Sequence, residues 1–175
     1  MKLQPLELAA VMAVARDMRE ADGHEIWATR ANEDWRELAR DVVRYSRLGA
    51  VAAADDGTPV AAIGAVEGWP GVWQVWMFAT ERWPEAALGA TRWAHRWLKP
   101  ALIAAGAHRA ECRSLAANHA THRWLTSLGA QAEALHPGYG KAAEDFITFA
   151  WRRDDVHFQR AETAEAAGPA ADGVR

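Results

Sequence analysis

The stretch VWQVWMFAT, residues 72 to 80, is apolar at almost every position, and the chain beyond it returns to extended structure twice by way of a helix. Such a run predicts a strand covered on both faces. It leads into ERWPEAALGATRWAHRWLKPALIAAGA, where Ala90, Trp93, Ala94, Trp97 and Ala101 share one helical face and Pro100 is set to kink or divide the helix. HRAECRSL, residues 108 to 115, alternates Arg109, Glu111 and Arg113 against Ala110, Cys112 and Ser114, the period of a strand with one polar face. NHATHRWLTSLGA, residues 118 to 130, predicts a helix that Asn118 caps and Gly129 turns back. Two more strands, near Gln131 to Leu135 and Asp145 to Trp151, flank the turn-rich HPGYGK. A strand, helix, strand, helix, strand passage requires crossovers on a sheet, so the expected class is mixed α/β with helices on both faces.

The N-terminal third predicts three helical pieces before any strand. Leu8, Val11, Met12, Ala15 and Met18 form the stripe of a helix over about residues 5 to 20. Asp22 is placed to cap a short second helix carrying Glu25, Ile26 and Trp27, and Asn32 a third with Trp35, Leu38, Ala39 and Val42 on one face. In LGAVAAADDGTPVAAIGAVEG, Asp55, Asp56 and Gly57 mark a hairpin turn between two apolar runs. A chain of 175 residues is long enough for one self-sufficient core, expected over residues 1 to 153. From Asp154 the sequence loses its aromatics and ends in AETAEAAGPAADGVR, a composition that predicts a disordered tail.

Charge and cysteine content narrow the function. A net charge of -3 argues against a general nucleic-acid binder. No apolar run approaches the roughly 20 residues that a membrane helix needs. The single cysteine, Cys112, excludes an internal disulfide and fits a reducing compartment such as the cytoplasm. Its thiol has no base beside it in sequence and reads as a buried, inert group. His119 and His122 share a helix face without a third ligand at sensible spacing, so no metal site is expected. Arg19, Asp22 and Glu25 form a polar cluster open to a functional role or to capping and ion pairing alone. Ten tryptophans outnumber Phe and Tyr combined, supplying wide plates for a core first and a binding wall second.

The segment from Asn118 to Ala130 resembles the last characteristic segment of the GNAT acetyltransferases, with Asn118, Arg123, Trp124, Leu128 and Gly129 at that segment's spacing. The strand HRAECRSL and the passage WQVWMFATERWPEAALGATRW stand in GNAT order, and the likeness covers about residues 50 to 152. A narrower likeness, through MREADGHEIWA, VWMFAT and EDFITFAW, is to the tailed-phage GNAT-like proteins grouped with internal virion protein A.

The resemblance implies a central sheet in which the strand of residues 73 to 80 splays from that of residues 108 to 115. The pantetheine arm of acetyl-CoA would enter the opening, with Met77, Phe78 and Ala79 presenting backbone to the thioester. The family's pyrophosphate loop falls in the frame of Arg82, Glu85 and Ala87, and Asn118 adds a contact near the arm. Glu85 stands where the family has a glycine, which predicts weak or no cofactor binding, and Leu125 stands where the family often has a thiolate-protonating tyrosine, which weakens the chemistry. Glu111 on the central strand and Glu81 at the end of the splayed strand are the candidate catalytic carboxylates. The acceptor implied is a small-molecule or protein amine. The phage likeness adds a second possibility, a non-catalytic virion or morphogenesis protein on the same scaffold, with virion proteins as partners in the host cytoplasm or the particle.

Overall fold

The computed structural model describes residues 2–153, so the tail from residue 154, expected to be disordered, lies outside the described residues. One mixed sheet runs in the order β1 (Lys2–Pro5), β2 (Leu48–Ala53), β3 (Pro59–Trp69), β4 (Val72–Ala79), β5 (Arg109–Leu115), β7 (Phe146–Arg152), β6 (Gln131–His136). All neighbours pair antiparallel except β4 and β5, which are parallel. Helices α1 (Leu8–Arg16), α2 (Glu20–Trp27) and α3 (Trp35–Tyr45) precede β2. Val11, Val14, Leu38 and Ala39 from α1 and α3 pack on Val51, Ala62 and Phe78 on one face of the sheet. The other face is covered by α4 (Trp83–Trp93), α5 (Lys99–Ala104) and α6 (His119–Ser127), around Trp73, Ala110, Phe149 and Trp151.

The expected crossover, hairpin and two final strands are all present; the departures from the sequence reading have local causes. A strand does precede the helices: β1 pairs with β2 from Lys2↔Ala53 to Pro5↔Ala50, but four residues are too few to show a period. Asp22 does not cap α2; Arg19 stands at that position without a side-chain cap, and Asp22 lies buried within the first turn. Asp34 rather than Asn32 caps α3, its Oδ1 accepting from the Arg36 amide at 2.8 Å, while Asn32 Oδ1 accepts from the Asp34 amide at 3.1 Å one turn earlier. β4 is covered on both faces at its ends only; Gln74 is exposed and Val75, Trp76 and Met77 are half-buried, all four lining a cavity.

Pro100 sits in the first turn of α5, and the chain ahead of it, Ala94–Leu98, forms a π-helical turn joining α4 to α5. Proline offers no N–H and its ring presses on the carbonyl four residues back, a conflict that the wider turn accommodates. At Gly129 the backbone takes φ +88° and ends α6 as expected, and the Ala130 amide donates to the Leu125 carbonyl at 3.0 Å. Gly64 in β3 is needed for a different reason: a Cβ there would lie 2.4 Å from Cζ2 of Trp76. The Trp76 indole lies over Gly64, stacks on Phe78 with centroids 5.5 Å apart and donates from Nε1 to Ser46 Oγ at 2.9 Å.

Candidate active site

β4 and β5 pair over three positions only, Val72↔Arg109, Trp73↔Ala110 and Gln74↔Glu111. Beyond them β4 stays in register with β3 as far as Ala79, and β5 stays with β7 as far as Leu115. Each strand follows its own antiparallel partner around the sheet twist, and the parallel seam between them opens into a V. The strand period puts the amides of Val75 and Met77 on the same edge as that of Ala79, facing this gap. A cavity of about 430 Å³ occupies it. On one side it meets Ala94, Leu98 and Leu125, and on the other Thr29, Tyr139 and Phe146.

One turn of α2 spans the open end of the V. Asp22 Oδ2 accepts from the Ala79 amide of β4 at 2.7 Å. Glu25 Oε2 accepts from the Leu115 amide of β5 at 3.0 Å, from Ser114 Oγ at 2.8 Å and from Asn118 Nδ2 at 2.9 Å. Residues three apart lie on one helix face, so a single face fastens both strand ends. The preceding segment reinforces β4: the Arg19 amide donates to the Ala79 carbonyl at 2.9 Å, and Met18 bridges to Thr80. Arg19 Nε lies 2.8 Å from Asp22 Oδ2, at an angle that makes an ion pair rather than a hydrogen bond.

Both carboxyls are pushed up from their ordinary values, chiefly because burial disfavours the charged form. For Glu25 that outweighs the hydrogen bonds from Asn118, Ser114 and Leu115, and for Asp22 it outweighs Arg19 and the Ala79 amide. All three bonds to Glu25 converge on Oε2, and both acids line the cavity. None of these three bonds falls on Oε1. In sequence Asp22 and Glu25 stand out as a polar cluster with Arg19 but carry no sign of their place at this gap. What they do carry is a spacing, two acids three apart in EADGHEIW, on a helix whose buried residues are Asp22 and Gly23.

The other sequence-predicted residues are distributed around this gap. Met77 lines the cavity, whereas Phe78 points to the opposite face and joins the α1–α3 core. The amide and carbonyl of Ala79 are held by Asp22 and Arg19. Arg82 precedes α4 and is bound by Glu85, through Nε and a terminal nitrogen at 2.8 Å each, and by Asp56 at 2.9 Å. The first-turn amides of α4 are engaged too: Arg82 N donates to Thr80 Oγ1, Trp83 N to the Thr80 carbonyl and Glu85 N to the Arg82 carbonyl, and Pro84 has none. Ala87 is half-buried on α4, and Thr91 Oγ1 donates to its carbonyl at 2.7 Å.

Asn118 does cap α6, with Oδ1 accepting from the Thr121 amide at 3.2 Å while Nδ2 is given to Glu25. Glu111 is buried and held by Arg109 Nε at 2.5 Å, on the strand face opposite Cys112. Glu81 is exposed in the loop before α4. Burial, with Glu25 and Glu111 nearby, pushes the Cys112 thiol up to about 12. His122 Nε2 bonds the Leu115 carbonyl at 2.9 Å, and burial holds its pKa below the usual histidine value. Among the described residues no group of three or more potential ligands could hold a metal ion. No helix among them is long and apolar enough to cross a membrane.

No protein-family model matches the chain, and no curated protein does. Solved structures do. An acetyltransferase of the GNAT family from Bacillus anthracis superposes with a TM-score of 0.65 at 15% identity, over 86% of this chain and 93% of that one. The yncA protein from Salmonella typhimurium, solved with its cofactor acetyl-CoA, gives 0.65 at 20% identity over 88% and 94% of the two chains. Mycobacterium smegmatis RimJ in complex with CoA-disulfide gives 0.65 at 20% identity over 93% and 88%. At these identities the likeness is one of architecture, and it shows that this chain has the fold of the GNAT acetyltransferases.

Proposed function

We propose that the protein is an acetyl-CoA-dependent N-acetyltransferase, working as one domain over residues 1 to 153, whose acceptor is a small-molecule or protein amine. The observation that carries the reading is the V between β4 and β5, with its cavity of about 430 Å³ and the amides of Val75 and Met77 on its edge. That edge fits an extended arm with amide groups of its own, which would complete the interrupted ladder. The phosphate end fits less well at α4, where the first-turn amides are engaged and Glu85 adds negative charge. His95 and Lys99, on the π-turn and the start of α5, line the cavity on the α4–α6 side.

Acetyl-CoA supplies an acetyl group already activated as a thioester. The chain itself has to position the acceptor and remove its proton. Glu25 is the base in this reading: it lines the cavity with its three hydrogen bonds gathered on Oε2, and burial raises its basicity. Asn118, Ser114 and the Leu115 amide fix the carboxylate plane, and Met77 N–H is placed for a carbonyl oxygen in the gap. Glu111 and Glu81 are secondary candidates for this role, the first paired to Arg109 and the second outside the cavity wall.

A second reading is a non-catalytic phage virion or morphogenesis protein on the same scaffold; the engaged N-terminus of α4 supports its lack of cofactor binding, and its phage assignment rests on the sequence likeness alone. Thermal melts with acetyl-CoA separate the two. Ligand at a hundredfold over its dissociation constant stabilises the folded state by about 2.7 kcal/mol, several degrees in a domain of this size. The transferase reading expects such a rise at millimolar acetyl-CoA, with thiol release when an amine is added. A flat melting curve there leaves the scaffold reading.

A further inference from the structure

Arg113 stands on the cavity wall on the same side of the sheet as Tyr139, whose ring centre is 5.3 Å from its guanidinium carbon. Strand alternation turns it away from Cys112 and the α4–α6 side, toward the side on which α2 lies. Its Nε is buried without a hydrogen-bond partner. The nearest acid, Glu111, is 3.8 Å from a terminal nitrogen and is already bound at 2.5 Å by Arg109. With 33% of the side chain exposed, the group is held in place by a ring yet open to a ligand. A guanidinium whose acid contact is a single one at 3.8 Å, to Glu111 Oε1, keeps a planar fork that matches a carboxylate bidentately. The two acids of α2 line the same cavity, so one compartment holds carboxyl groups and a guanidinium together.

We propose that Arg113 receives the anionic group of the acceptor, which makes that acceptor an amino acid, with its amine toward Glu25 and an apolar side chain among Tyr139 and Phe146. The charge pattern suits a zwitterion better than a simple amine. The fate of the amine rests on the transferase reading; the anion site rests on Arg113 alone.

The test compares leucine with its decarboxylated counterpart isoamylamine, and repeats the comparison for methionine and phenylalanine. In nitrogen-edited spectra of the wild-type protein, millimolar leucine should shift the Arg113 Nε–H resonance, identified by its loss in Arg113→Met, and isoamylamine should not. In the transfer assay leucine should exceed isoamylamine in kcat/KM by on the order of 10- to 100-fold. Arg113→Met should collapse that ratio by raising KM for leucine with little change in kcat, and Arg113→Lys should restore part of it. Equal rates for the matched pair with no shift overturn the proposal. So does a shift produced by CoA alone, which would give Arg113 to the cofactor's phosphates. Should neither amine be acetylated, the transferase reading falls and the Nε titration decides by itself: a shift with leucine only keeps the anion site, and no shift removes it.

Discussion

Glu25 serves two opposed requirements. As a base it has to ionise inside the protein, and ionising there is what the surroundings resist. Its folded-state pKa lies above the ordinary glutamate value, so its contribution to stability is fully present below that value and is lost as pH rises through the raised one. Each unit of displacement is worth about 1.4 kcal/mol. Glu25→Gln keeps an oxygen for Leu115, Ser114 and Asn118 but cannot ionise. The variant should therefore melt above the wild type at about pH 8 and converge with it near pH 4, in paired calorimetric scans. Its transfer activity should fall by about 10²- to 10⁴-fold, with loss of the acid limb of the wild-type pH profile. Gly64 tests packing at the same scale: Gly64→Ala drives a methyl into the Trp76 indole and should cost about 1–3 kcal/mol in chemical denaturation.

At the scale of elements, α2 is a fastener more than a core helix. Asp22→Ala leaves the Ala79 amide and Arg19 without their acceptor, and should destabilise the fold by about 1–3 kcal/mol, read from the urea midpoint. Asp22→Asn, which still accepts from the amide, should recover most of that loss. The helices, the hairpin at Asp55–Gly57 and the strand alternation of residues 109–115 were legible because each has its own period or turn residue in the sequence. Helix starts were less so: Asp22 has a capping residue's chemistry, but its carboxylate is drawn to an amide 57 positions away, and no local pattern encodes that partner. The four-residue β1 was invisible for the same reason, since its pairing depends on β2 alone.

For the whole molecule, the order of elements was enough to anticipate a mixed sheet with crossovers, whereas the splayed strands were anticipated only through the likeness to the GNAT segments. What filled the seam was not legible. The acids singled out on β5 and in the loop after β4 have neighbouring arginines or solvent, whereas the pair that reaches the cavity comes from the N-terminal third and is assembled only by folding. Cofactor binding in the V should also change the sheet's protection pattern. In hydrogen exchange the amides of Val75 and Met77 should exchange quickly alone and slow on adding acetyl-CoA, with Phe78, on the β3 side, unaffected.

The spacing of Asp22 and Glu25 makes the pitch of an α-helix the gauge for this crevice. Three residues advance about 4.5 Å along the axis, and that fixed step sets how far apart the two lips are held. Outward-facing positions of the helix can vary without altering the gauge. One extra residue between the acids would swing a carboxylate about 100° around the axis, so the short register from 22 to 25 leaves evolution far less room for insertions than for substitutions.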